Sequence, residues 1–255
     1  MTRYNVLNKQ NLIILRKVSK NYFLGEFNYK NFFNILKYIF FKKKNYRLKE
    51  KKALININLN IKKGERIALL GKNGSGKSTL LKIISNITTP TSGYVKINGK
   101  VMSLLEVGLG FHPELSCKDN IIFNGVILGV KKKQIYKSID LIINFAGLEE
   151  YADTPLKRYS SGMISKLGIA IGIYLRSDIL IIDEIFSTTD GNFRKKCIKK
   201  IIELNKFFGR VIILVSHNLD LATQVCHRGI VMNAGEISYD GKINNAVYFY
   251  KKNLV

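Results

Sequence analysis

Cysteine is scarce in this chain of 255 residues: Cys117, Cys197 and Cys226 are odd in number, widely spaced and never arranged as C-x-x-C. That pattern excludes a disulfide framework and suits free thiols in a reducing cytoplasm. Met1 to Gln10 lack the apolar core of a secretory signal. No run reaches the ~18 apolar residues of a membrane-spanning helix, so the chain is not expected to cross a membrane by itself. Internal repeats and heptads are missing too. Acidic residues are few, 18 Asp and Glu against 42 Lys and Arg, for a formal net charge of +24. Such an excess suits nucleic acid, an anionic membrane surface or a phosphorylated ligand. It equally suits a coding bias, because Lys, Asn and Ile dominate everywhere. Apolar residues make up 46%, ample for the core of one large domain or of one domain with a small appendage.

What the chain does have is Gly71-Lys-Asn-Gly-Ser-Gly-Lys-Ser-Thr79, which fits the phosphate-binding loop G-x-x-x-x-G-K-[ST]. Gly71, Gly74 and Gly76 allow the tight turn that aims backbone N–H groups, through Asn73, Ser75 and Thr79, at phosphate oxygens. Lys77 is placed to reach the β- and γ-phosphates, and Ser78 offers a hydroxyl to Mg²⁺. The context fits: Arg66 to Leu70 reads as a buried strand, and a helix starting near Gly76 would add its positive end.

Asn11 to Val18 reads as a strand, followed by Tyr22, which supplies either a flat face for adenine or simple packing at a strand end. Phe23 to Lys52 reads as an insertion. Phe32, Phe33, Leu36, Ile39 and Phe40 recur at helical spacing beside Lys37 and Lys42 to Lys44, then a Lys-rich solvated loop follows. This basic amphipathic helix either lies on a membrane surface or packs on its own domain. From Ala53 to Ile61 the pattern alternates, with Ile55, Ile57, Leu59 and Ile61 on one face, as in a half-buried antiparallel strand. Tyr94 to Ile97 and Lys100 to Leu105 read as a hairpin around Asn98-Gly99. Helical stretches at about Lys118 to Leu128 and Lys132 to Phe145 suggest a helical subdomain over about 115–175. Ser160 or Ser161 caps a further helix. Strands at Ile179 to Ile182 and Val211 to Val215 alternate with helices, which implies a largely parallel sheet covered on both faces.

Ligands of open parallel sheets sit outside the carboxyl ends of the strands. Three such ends carry polar groups: the phosphate loop, Asp183-Glu184 and Ser216-His217. Two carboxylates at the end of a buried strand are costly unless paired, and a nearby Mg²⁺ offsets that cost. Asp183 is therefore the metal-side carboxylate and Glu184, pointing elsewhere, the general base for water.

Together these residues resemble the ATP-binding subunits of ABC transporters, from about Ile13 to Gly241. Tyr159-Ser-Ser-Gly-Met163 looks like the ABC signature, with Ser161 where a second Gly is commoner. At the expected distances follow Asp183-Glu184, then Ser187-Thr-Thr-Asp190, similar to the D-loop, then the switch His217. Leu104 to Leu115 is similar to a segment of bacterial polysaccharide exporters that handle O-antigen, capsule or teichoic acid. Glu106 stands where Gln is usual, and the loop before Asp190 departs from the usual apolar-small run. The resemblance implies an α/β P-loop ATPase fold with an antiparallel β-subdomain. Some O-antigen exporters append a sugar-binding domain, and this chain, which stops soon after Gly241, is expected to carry none. It implies ATP and Mg²⁺ as cofactors, with Ser78, Asp183 and Glu106 toward the metal. It further implies a head-to-tail homodimer in which Ser160, Ser161, Gly162 and Asp190 complete the second chain's ATP site. The partners would be a separate transmembrane permease and a lipid-linked glycan, with the chain peripheral on the cytoplasmic face of the inner membrane. A soluble ABC-type ATPase on nucleic acid or ribosomes is the rival reading. Against it, the chain has one phosphate loop and no nucleic-acid-reading motif.

Overall fold

Two long antiparallel strands, β1 (Asn11–Leu24) and β2 (Lys49–Lys62), open the computed structural model, which describes residues 10–24, 49–104, 110–183, 190–216 and 218–254. They pair from Asn11 against Lys62 to Leu24 against Lys49. Both strands therefore run into the expected insertion, and its last residues, Lys49 to Lys52, are strand where a solvated loop was expected. The stripe at Phe32 to Phe40 lies outside the described residues.

The alternation expected of β2 breaks in its middle. Leu54, Ile57, Leu59 and Ile61 are buried, while Ile55 is only half-buried. The cause is a β-bulge. Lys17 and Asn56 both take left-handed backbone (φ 50° and 49°), and the pairing register shifts around Val18. An inserted residue reverses which side chains face the core. Local polar bonds hold it: the Lys17 N–H donates to Asn58 Oδ1 (2.9 Å) and the Asn56 N–H to Ser19 Oγ (3.0 Å).

The chain then enters a second sheet through β3 (Arg66–Leu70) and leaves it through helix α1 (Lys77–Ile84). Strand β4 (Ser92–Ile97) returns to pair with β1, and β5 (Val101–Ser103) joins the second sheet. The hairpin expected around Asn98-Gly99 does not form. Gly99 (φ 127°) instead carries the chain from one sheet to the other, with the Lys100 N–H donating to Asp178 Oδ2 at 2.8 Å. Each arm finds a longer apolar partner elsewhere: Ile97 pairs with Ile13, and Met102 with Leu180.

Strands β6 (Ile179–Asp183), β7 (Val211–Val215), β8 (Arg228–Asn233) and β9 (Glu236–Lys242) complete a six-stranded sheet of order β5-β6-β7-β3-β8-β9. All its pairings are parallel except β8 with β9. Its central strands are apolar on both faces, as burial on both sides requires. Ile67, Leu69, Ile179, Ile181, Ile213 and Val215 face α1 and the β1–β2 sheet. Ala68, Leu70, Leu180, Ile182, Ile212 and Leu214 face the helices on the other side. Those helices are α2 (Cys117–Ile127), α3 (Lys132–Ala146), α4 (Ser161–Tyr174), α5 (Gly191–Phe208), α6 (Leu219–Val225) and α7 (Ile243–Leu254). Neighbouring contacts run α2 to α3 to α4, and α4 to α5. Among the described residues no helix is long and apolar enough to cross a membrane.

Candidate active site

The parallel register aligns the carboxyl ends of three strands: Leu69 of β3 and Asp183 of β6 both lie opposite Val215 of β7. Gly71 to Gly76 sit at the end of β3, wedged between β2 and the β8–β9 turn. A side chain at Gly76 (φ 106°) would meet the Ala53 carbonyl oxygen at 2.7 Å, and one at Gly71 the Met232 oxygen at 2.5 Å. The Gly235 N–H donates to the Ser75 carbonyl (3.0 Å), while the Gly235 carbonyl accepts from the Ile55 N–H (2.8 Å). The loop is thus tied through its backbone to the β8–β9 turn, and that turn to β2. Leaving it, α1 takes Gly76 as N-cap with no side-chain cap. The start of that helix lies at the loop and is its positive end.

A cleft of about 440 Å³ opens here. Asn73, Gly74, Gly76, Lys77, Ser78 and Thr79 line its floor, Tyr22, Lys51 and Ala53 the β-sheet side, and Asp183 with Val215 the far end. Lys77 Nζ arches back over the loop, donating to the carbonyls of Gly71 (2.6 Å) and Lys72 (2.9 Å). The Tyr22 ring is 36% exposed and has the Lys20 ammonium 5.2 Å from its centroid. Ser75 is buried, and its hydroxyl has no hydrogen-bond partner among the described residues.

The structure therefore brings together Tyr22, the phosphate loop, Ser78 and Asp183. Sequence reading missed Lys51 and Ala53. Lys51 reaches the cleft because it pairs with Tyr22 across β1 and β2, and one lysine among so many carries no signal in the sequence. Ser160, Ser161 and Gly162 stand apart from the cleft, exposed at the start of α4. Ser160 is the cap, its Oγ accepting from the Met163 N–H at 3.2 Å. Asp190 also stands apart. It caps α5 by accepting from the Phe193 N–H (2.8 Å) and pairs with Lys166 of α4 (2.8 Å). The Lys166 ammonium, helped by that N–H, holds its carboxyl below the usual range. Glu106, Glu184 and His217 lie outside the described residues.

A model of the ABC transporter family matches residues 54–187. The chain is 40% identical over 200 residues to the O-antigen export system ATP-binding protein RfbB of Klebsiella pneumoniae, covering 78% of this chain and 81% of that one. It is 42% identical over 200 residues to RfbB of Myxococcus xanthus, where it spans 46% of the relative's length. With the teichoic acids export ATP-binding protein TagH of Listeria innocua it shares 38% identity over 238 residues, 93% of this chain and 69% of that one. A dimeric ATP-binding cassette in a post-hydrolysis state, bound to ADP and Pi, superposes with a TM-score of 0.71 at 23% identity, covering 91% of this chain and 98% of that one; this supports the fold. A phosphate loop built into such a sheet, with relatives this similar along most of both chains, makes this chain a member of the ABC transporter family.

Proposed function

We propose that the chain is the ATP-hydrolysing subunit of an exporter that moves a lipid-linked polysaccharide, such as O-antigen, capsule or teichoic acid, across the cytoplasmic membrane. A separate membrane subunit forms the passage, and this chain sits peripherally on its cytoplasmic side. The observation that carries the reading is the division of the site. Tyr22, the phosphate loop and Asp183 share one cleft, while Ser160 to Gly162 are exposed outside it. Two copies placed head to tail complete each other's sites.

The residues present fit ATP and Mg²⁺. The positive end of α1, which has no side-chain cap, and a buried Ser75 hydroxyl without a partner among the described residues suit an anion. Among the described residues no three His, Cys, Asp or Glu gather as a metal cage. A cation held by Ser78 and Asp183, with Glu106 as a third candidate, would draw its other ligands from phosphate and water, as Mg²⁺ does. Bound there, it would neutralise charge on the phosphates.

Tyr22 stacks on adenine, and the Asn73 to Thr79 backbone holds the phosphates. Lys77 turns from its two carbonyls to the β- and γ-phosphates. Glu184 orients water in line and takes its proton, and the water oxygen bonds the γ-phosphorus. The bond to the bridging oxygen breaks, and ADP keeps that oxygen with its electron pair. His217 holds the γ-phosphate. Ser160, Ser161 and Gly162 of the second copy meet the same phosphate at the positive end of α4, and Asp190 sits beside them at the dimer seam. The relatives are named for export, so the nucleic-acid and ribosome reading is set aside.

The test is Lys77→Ala. The purified wild-type chain hydrolyses MgATP, and the variant loses turnover by at least about 100-fold, the scale of a lost transition-state contact. Glycan export fails in cells that carry it beside the membrane subunit. Undiminished hydrolysis or export in the variant overturns the reading.

A further inference from the structure

Arg210 is the one charged residue buried among the described residues, at 5% exposed. It stands immediately before β7. Its Nη1 donates to the Ile173 carbonyl (2.8 Å), and its Nη2 to the carbonyls of Leu175 (2.6 Å) and Gly172 (3.4 Å). These are carbonyls at the C-terminal end of α4, which a helix leaves without partners of its own and which carry its negative end. Nε and Nη2 also donate to Ser177 Oγ, at 3.0 and 2.6 Å, and Nε to the Ser177 carbonyl at 3.1 Å. Burial drives the guanidinium down to about 10, opposed by the Asp178 charge. It stays a cation at neutral pH.

The chain of bonds continues. The Arg210 carbonyl accepts from Asn205 Nδ2 (2.6 Å), and Asn205 Oδ1 accepts from Arg66 Nη1 (2.9 Å). Arg66 is the first residue of β3, the strand that ends in the phosphate loop. One polar chain, buried at Arg210 and Asn205 and half-buried at Arg66, thus joins the base of the phosphate-loop strand to the far end of the helix that starts at the signature.

We propose that Arg210 is a positioning residue for ATP hydrolysis: it pins the C-terminal end of α4 to the base of the central sheet and so sets where the other end presents Ser160, Ser161 and Gly162 to the ATP of a second copy. This rests on the shared-site reading above. The leverage is large. The 14 residues of α4 span about 21 Å, so a tilt of about 5° about the pinned end moves the signature by about 2 Å. A misplacement of about 1 Å can cost about 100-fold in rate. Apolar contacts made by Leu167, Ile169, Ala170, Ile171 and Ile173 hold α4 in its layer. They are non-directional and tolerate sliding, whereas a planar guanidinium fork fixes both distance and angle.

The experiment uses full chains. Arg210→Met is expected to bind MgATP like the wild type and to lose turnover at saturating MgATP by roughly 10- to 100-fold. Arg210→Lys, with one point charge in place of the fork, does not restore it. The decisive readout is mixing. Arg210→Met chains regain one working site per heterodimer with Lys77→Ala chains, which lend an intact signature. They regain nothing with Ser160→Arg chains, which lend none. A general folding defect would not choose between those partners. Unchanged turnover, lost MgATP binding or rescue by Ser160→Arg overturns the proposal. Should Arg210→Met fail to fold, Ser177→Ala, which removes one acceptor and keeps the arginine, must show the same choice of partner at smaller amplitude; equal rescue by both partners overturns the proposal. Mixing Lys77→Ala with Ser160→Arg chains is the control. If that pair stays inactive as a demonstrated heterodimer, the shared site itself fails and the proposal falls with it. If the pair works and Arg210→Met does not discriminate, only the proposal falls.

Discussion

Gly76 shows how a single residue serves both the fold and the cleft. Its φ of 106° and the 2.7 Å approach that a side chain would make to the Ala53 carbonyl leave room for hydrogen alone. Gly76→Ala is therefore expected to destabilise the chain by about 1–3 kcal/mol, the cost of forcing such backbone. It should also weaken MgATP binding, because relief requires the loop to move away from β2. Thermal unfolding and nucleotide titration check both, and an unchanged affinity would show that the loop tolerates the shift. That glycine was legible from its motif, as were Lys77 and Ser78. Lys51 was not. It enters the cleft only because β1 and β2 pair Tyr22 with Lys51, and a cross-strand neighbour leaves no mark in a linear sequence. Asp190 was read from its place after the signature. The structure adds its present partners, the Phe193 N–H and Lys166.

Elements were legible where their pattern was long and apolar. Strands β3, β6 and β7 form close to where four or five consecutive apolar residues stand, since a doubly covered strand has nothing polar to display. The Asn98-Gly99 turn misled because an Asn-Gly pair permits a hairpin without choosing the partners of its arms. Long-range pairing with β1 and β6 decided that. Between β1 and β2 lies the stripe Phe32, Phe33, Leu36, Ile39 and Phe40 with Lys42 to Lys44. An interfacial helix uses such an apolar face to enter the headgroup boundary and such cations to meet lipid phosphates, each worth about 1 kcal/mol. Replacing Phe33 and Phe40 by Ser is expected to leave ATP hydrolysis by the isolated subunit intact and to abolish glycan export by the assembled transporter. Unfolding of the isolated variant would identify the stripe as ordinary core.

At the scale of the whole molecule, the phosphate-loop cleft and the exposed Ser160 to Gly162 stand apart in one chain, and on the proposed reading each completes the other's site in a second copy. Glu184→Gln should separate binding from turnover. It is expected to bind MgATP, to hydrolyse it about 10²–10⁴-fold more slowly, the share of a general base, and to accumulate as a dimer. Adding Ser160→Arg to that variant should keep it monomeric with ATP bound. Size-exclusion chromatography with and without MgATP reads both, and a Glu184→Gln chain that turns over at the wild-type rate would remove Glu184 from the base role. The sequence by itself determined the parts: a phosphate-loop motif, an aspartate at the end of a buried strand, the Tyr159 to Met163 segment that opens a helix, and the strands that carry them. These depend on short-range chemistry, on spacing and on runs of apolar residues, all of which are linear. Only the tertiary structure decided that Tyr22 and Asp183 line one cleft while Ser160 is exposed outside it. Only the structure placed a bulge at Asn56 that turns Leu54 inward, and buried Arg210 under the far end of α4. Those outcomes depend on which surfaces meet across sheets and layers, and contacts between residues far apart in the chain leave no periodicity to read.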